Sequence, residues 1–220
     1  GADGLTKVLM LQANPRGTDR LNLDLEHSRI QTELSHVHEF FQLIPKREIR
    51  ANTFTREIIK ERPQIVHFSG HGRTAKINNL DPNDAFAEPQ PGQSGGLILG
   101  NPIGDGLFVM EAKTLAFTFK SMIETQGVPL NIVFLNACYS GELAESIAQH
   151  VPFVIGTSDA VLDTAAWLFS ENFYFSLANQ AGNKIDEIAV IKAFNAGQMN
   201  AIQTGEPIDR FMLYVNGKLQ

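Results

Sequence analysis

A chain of 220 residues that is 43% hydrophobic and 19% charged can bury one large core and is too apolar to belong to a disordered class. Its formal net charge of -6 gives no general basic surface for nucleic acid or anionic membrane, and no apolar run approaches the roughly 20 residues of a membrane-spanning helix. One cysteine, Cys138, rules out an internal disulfide and fits a reducing cytoplasm, as does a start without a secretory pattern.

In chain order, KVLMLQA (7–13) predicts a first buried strand, stopped by Asn14-Pro15. Residues 21–37 carry Leu21, Leu25, Ile30, Leu34 and Val37 close to helical spacing. EFFQLI (39–44) predicts a strand. TFTREIIKER (53–62) predicts a helix with Asn52 or Thr53 at its N-cap and Pro63 as its stop. QIVHFS (64–69) is a second continuous strand, expected near the sheet centre. Residues 73–106 are rich in glycine and proline and too long for an ordinary connection, which predicts a functional or mobile loop. Within it, GGLIL and GLFVM flank GNPIGD as a hairpin would. Then follow a helix (111–127), a third buried strand NIVFLNA (131–137), a helix (141–150), a strand PFVIG (152–156), two helices (163–182 and 185–203) and a closing strand (210–217). Strand and helix alternate without a dividing linker. The chain therefore predicts one α/β domain over 1–220, its sheet mostly parallel and covered by helices on both faces.

Two of these strands end in unusual loops, HFSGHG and VFLNACYSG. Sites in open α/β sheets form beyond the carboxyl ends of the strands. If the two strands are neighbours, His71 and Cys138 emerge on one rim. A thiol beside an imidazole is the minimal unit of cysteine nucleophilic catalysis. Glycine on both sides of His71 permits close backbone approach. The N–H groups of Gly72 and Cys138 are then candidate oxyanion-hole donors.

The segments IVHFSGHG, GLIL, VFLNACYSG, VIGTS and DTAAWLFSENFYFSLA, in this order, resemble CHAT domains, which are caspase-like cysteine peptidases related to caspases, separase and the gingipains. The opening KVLMLQANPRGTDRLNLDLE is similar to the start of many bacterial members. The resemblance spans nearly the whole chain. It implies a caspase-hemoglobinase-like three-layer sandwich, a His71–Cys138 dyad and peptide-bond hydrolysis through a thioester, with no metal or organic cofactor. It also implies a protein substrate, in some bacterial relatives a gasdermin-like effector cut during defence or regulated cell death, and a companion sensor domain or activating partner. Where the family usually continues GTLWPVDD, this chain has GTSDAVLD (156–163). Asp163 keeps the last aspartate, and Asp159 stands where tryptophan is common. By analogy with separases and gingipains, either acid could select a basic side chain before the scissile bond. Asp159, Asp163 and Ser69 are thus the candidate substrate-binding residues. Asp163 could instead cap the following helix.

Simpler readings stand beside these. A lone free cysteine is often a small buried hydrophobe. His67, inside a strand, reads as a hydrogen-bonded core residue. Its spacing to His71 would suit a zinc pair only on a helix. The acids of DPNDAF (81–86) lack the spacing of a calcium loop and read as a solvated turn. For function, two rivals to an endopeptidase remain. One is a catalytically silent scaffold or docking module of the same fold. The other is an amidase or acyl transferase acting on a small molecule.

Overall fold

The computed structural model describes residues 4–15, 21–73, 95–180 and 184–220. Strand β1 (Thr6–Gln12) leads to helix α1 (Leu23–Ser35), β2 (Phe41–Lys46), α2 (Ala51–Glu61) and β3 (Ile65–Ser69). Three short strands follow, β4 (His71–Arg73), β5 (Gly96–Gly100) and β6 (Leu107–Glu111), and then α3 (Ala112–Glu124). The chain continues through β7 (Ile132–Asn136), α4 (Gly141–Ile147), β8 (Phe153–Thr157), α5 (Asp163–Ala178) and α6 (Glu187–Ala201). It ends with β9 (Phe211–Val215) and β10 (Lys218–Leu219).

Seven strands form one sheet in the order β10-β9-β8-β7-β3-β1-β2. The pairs β2–β1, β1–β3, β3–β7 and β7–β8 are parallel, and the β9–β10 hairpin adds antiparallel to β8. The expected mostly parallel sheet forms, with β7 as its middle strand and β3, expected near the centre, beside it. Every residue of β3 is buried, as a strand covered on both faces requires. Alternation divides its side chains. Val66 and Phe68 join the core beneath α2, α3 and α4, with Phe54, Phe119 and Ile147. Ile65 faces the second core, beneath α1, α5 and α6, with Ile30, Phe169 and Phe194. This is the expected three-layer arrangement.

The hairpin read from GGLIL and GLFVM (95–110) forms as β5–β6, with Ile98 opposite Val109. That β4 pairs with it was not expected: His71 lies opposite Ile98, and Gly72 opposite Leu97, in a separate three-stranded sheet. Helix α2 begins two residues before the expected start. Arg50 is its N-cap residue, and Thr53, expected as a cap, sits in the first turn with its Oγ1 accepting the Arg50 N–H at 2.8 Å. Most of the long loop, including DPNDAF, lies outside the described residues. No helix among the described residues is long and apolar enough to cross a membrane.

Candidate active site

Strands β3 and β7 are parallel neighbours, with Ser69 in register with Asn136. His71 and Cys138 each follow two residues beyond these partners, so the register itself sets the two loops side by side. The Gly70 N–H donates to the Asn136 carbonyl at 3.2 Å, joining them just past the last rung. Both His71 and Cys138 line one cleft, together with Glu26, Asn136, Asp163 and Trp167. The expected convergence of the two loops on one rim is therefore present, at the carboxyl edge of the sheet.

The glycines flanking His71 are required by space. A Cβ on Gly70 would lie 2.8 Å from the Ala13 carbonyl oxygen and 2.9 Å from the Phe68 ring. A Cβ on Gly72 would run into the carbonyl oxygen of Cys138, with the Ala137 methyl 3.3 Å away. The two loops thus touch backbone to backbone at Gly72 and Cys138.

The Cys138 loop is fastened from beneath. Ser140 is fully buried; its Oγ accepts the Thr157 N–H at 3.0 Å and donates to the Leu135 carbonyl at 3.3 Å. Thr157 Oγ1 donates back to the Ala137 carbonyl at 2.8 Å. Tyr139 turns the chain with φ of 57°, a left-handed conformation that a tyrosine holds only when its surroundings enforce it. Its N–H donates to the Asp159 carbonyl at 3.2 Å.

The thiol sits among opposing influences. Burial pushes the Cys138 pKa up, and the carboxylates of Asp163 and Asp159 push it further the same way. The Val161 N–H, 3.5 Å from Sγ, acts against them by favouring the thiolate. A thiol held in its neutral form needs a base to become a nucleophile. Val161 carried no signal in the sequence, because what it contributes is a backbone N–H.

The candidate substrate-binding residues separate in the structure. Asp163 is the first residue of α5, following Leu162 at the N-cap, and lines the cleft with Cys138. The helix N-terminus favours its negative charge. Asp159 lines a neighbouring cleft with Tyr139, Glu142 and Glu145. Its carboxylate is bound by Arg210 at 3.0 Å, which holds it below the usual carboxylate range after the first contribution, a bond from the Ala160 N–H. Arg210 also pairs with Glu206 at 3.1 Å, and Glu206 accepts the Leu162 N–H at 2.8 Å. Asp159 thus closes an ionic clamp on the loop that carries Val161. Ser69 corrects the expectation of a substrate contact. It is fully buried, on the α1 side of the sheet, with its hydroxyl 2.9 Å from Glu26 Oε1.

An open parallel sheet with antiparallel additions at one edge, and with cysteine and histidine loops at the carboxyl ends of adjacent strands, has the architecture of the caspase-like cysteine proteinases. The crystal structure of the Arg-specific cysteine proteinase gingipain R superposes with a TM-score of 0.58 over 99% of this chain and 48% of that one, at 10% sequence identity. The CHAT domain model matches residues 4–193, and the chain belongs to the CHAT domain family. A probable protease from Gillisia limnaea is 24% identical over 225 residues, covering 100% of this chain. The chain spans about a third of that relative's length, 34%.

Proposed function

We infer that this chain is a cysteine endopeptidase whose dyad is His71 and Cys138. The observation that carries the reading is their shared cleft at the ends of two parallel strands in register. His71 takes the Cys138 thiol proton as sulfur attacks the scissile carbonyl carbon. The N–H groups of Gly72 and Cys138 hold the oxyanion of the tetrahedral intermediate. On its collapse the carbon–nitrogen bond breaks, the leaving amine takes the proton from the imidazolium, and the acyl group stays on sulfur as a thioester. Water, deprotonated by His71, then attacks the thioester, releases the acid and restores the thiol.

Asp163 supplies the negative wall of the same cleft and favours a basic side chain before the scissile bond. Asp159, whose carboxylate is already engaged by Arg210, is better suited to holding the loop than to meeting substrate. The natural substrate is a protein, of the kind cut in bacterial defence or regulated cell death, such as a gasdermin-like effector, and a sensor domain or activating partner controls the cut in the cytoplasm. The protease-like relative and the membership of the CHAT family support peptidase chemistry over small-molecule amidase chemistry.

The test is digestion of a diverse peptide library by the purified protein and by Cys138→Ala, read by mass spectrometry. Cleavage lost in the variant, with arginine or lysine enriched before the cut, supports the dyad and the acidic wall. Cleavage equal in both proteins refutes the dyad.

A further inference from the structure

The dyad stands on a buried polar network that the mechanism above does not use. Glu26, in the first turns of α1, is only 2% exposed. Its Oε1 receives two bonds, from His67 Nε2 at 2.6 Å and from the Ser69 hydroxyl at 2.9 Å. His67, fully buried in β3, has its other ring nitrogen 2.8 Å from the hydroxyl of Tyr174 on α5. The protons can be placed one by one. Tyr174 is buried, which drives its phenol pKa well above the ordinary range and keeps it a donor. Its proton goes to His67 Nδ1. The ring proton is then on Nε2, pointing at Glu26, and the carboxylate accepts from both His67 and Ser69.

A carboxylate in this position is an expensive way to fill space. Removing it from water costs more than an apolar side chain of similar size, so a packing role alone gives no reason for it. Its placement gives one. Ser69 is the last residue of β3, two before His71, and its carbonyl accepts the Ala13 N–H at 2.9 Å. Glu26 holds the side chain of that same residue and lines the cleft beside His71 and Cys138. The α1 turn that carries it is itself tied down, because Gln12 at the end of β1 donates to the Leu23 carbonyl at 2.9 Å. Two elements, α1 and β3, therefore meet on one oxygen atom, with α5 joined through His67 and β1 through the Leu23 carbonyl, and Ser69 ends the strand that leads to the imidazole.

We propose that Glu26 is a positioning residue of the dyad, a buried carboxylate that, through Ser69 and His67, fixes the end of β3 and so aims His71 at Cys138. This rests on the reading of His71 and Cys138 as a dyad. A base displaced by about 1 Å loses on the order of 100-fold in effectiveness.

The chain has one cysteine, so alkylation by iodoacetamide reports Cys138 alone. The experiment measures its alkylation rate against pH, together with the melting temperature, for the wild type, His71→Ala, Glu26→Ala, Glu26→Gln and Ser69→Ala. The wild type should react near neutral pH, and His71→Ala should lose that limb. Glu26→Ala should react at roughly one-tenth of the wild-type rate or less at pH 7, with its profile moved toward that of His71→Ala. Glu26→Gln should stay within about threefold of wild type, since its amide oxygen still accepts both bonds. A Glu26→Ala profile that overlays the wild type, whatever its melting temperature, overturns the proposal, because the role is then only structural. A glutamine variant as impaired as the alanine variant also overturns it, since charge and not position would then be at work. If Glu26→Ala does not fold, Ser69→Ala decides: a fall of about three- to tenfold is expected, and an unchanged rate refutes. If His71→Ala matches the wild type, the dyad fails and the proposal fails with it.

Discussion

Replacing Gly72 by alanine tests the contact between the two loops most directly. The added methyl would drive into the carbonyl oxygen of Cys138, 3.2 Å from its carbonyl carbon and 3.3 Å from the Ala137 side chain. None of these can swing aside as a flexible side chain would. The Cys138 loop is pinned by Ser140 and Thr157, and β4 is held by its pairing with β5. One of the two backbones must move. Overpacking of this kind costs about 1–3 kcal/mol. For a chain of this size that is a fall of roughly 2–12 °C in melting temperature. The functional loss should be larger than the stability loss. The movement separates the imidazole from the thiol, and a shift near 1 Å costs on the order of 100-fold. Calorimetry gives the first quantity, and the alkylation rate of Cys138 at pH 7 gives the second. A variant that melts within about 1 °C of wild type and reacts at the full rate would mean that the loops do not meet as described.

Three further outcomes follow from the same geometry. Ser140→Ala leaves the buried Thr157 N–H without its acceptor and should lower stability by about 1–3 kcal/mol in urea titration, whereas replacement of the exposed Ser35 should change it little. Asp163→Asn removes a charge that raises the Cys138 pKa, so the thiolate should form at lower pH and alkylation of a His71→Ala background at fixed pH should become faster; a slower reaction would contradict the stated electrostatics. Tyr174 has a folded pKa raised far above the ordinary value of 10.0, so the folded state keeps a proton that the unfolded chain releases. Its share of stability is complete below pH 10 and is lost as pH rises beyond it, and Tyr174→Phe should flatten that alkaline decline in denaturant midpoints.

The core strands were legible because burial on both faces writes them as near-continuous apolar runs, as in VLML and IVFL, with β3 interrupted by His67 and Ser69. The hairpin was legible from its turn residues. Strand β4 was not: three residues, HGR, carry no periodicity, and the ladder partner Ile98 that makes them a strand lies in another segment. His71 and Cys138 could be singled out because each follows a strand in an unusual loop. Glu26 could not. An acid in the first turn of an amphipathic helix reads as a solvated group favoured by the helix dipole, and its partner His67 is 41 residues away. The pairing of Asp159 was hidden for the same kind of reason, since its neighbour Arg210 stands just before β9, far along the chain. Ser69 illustrates the limit set by strand parity. Both faces of β3 are covered, and parity decides only that this hydroxyl enters the α1 face, where Glu26 waits.

His71 is the first residue of a strand in the small sheet while lying two residues beyond a strand of the large one. The turn of the small sheet's hairpin is gripped by Arg50, whose Nη1 donates to the carbonyls of Asn101 at 2.9 Å and Gly104 at 2.7 Å. The imidazole therefore takes its coordinates from two frames at once, one anchored in the central core and the other hung from the start of α2. A rotation of the small frame would travel along the Ile98 rung to the base, and at Gly72 it would bear on the Cys138 carbonyl, so the frame that aims the imidazole also abuts the loop of the thiol.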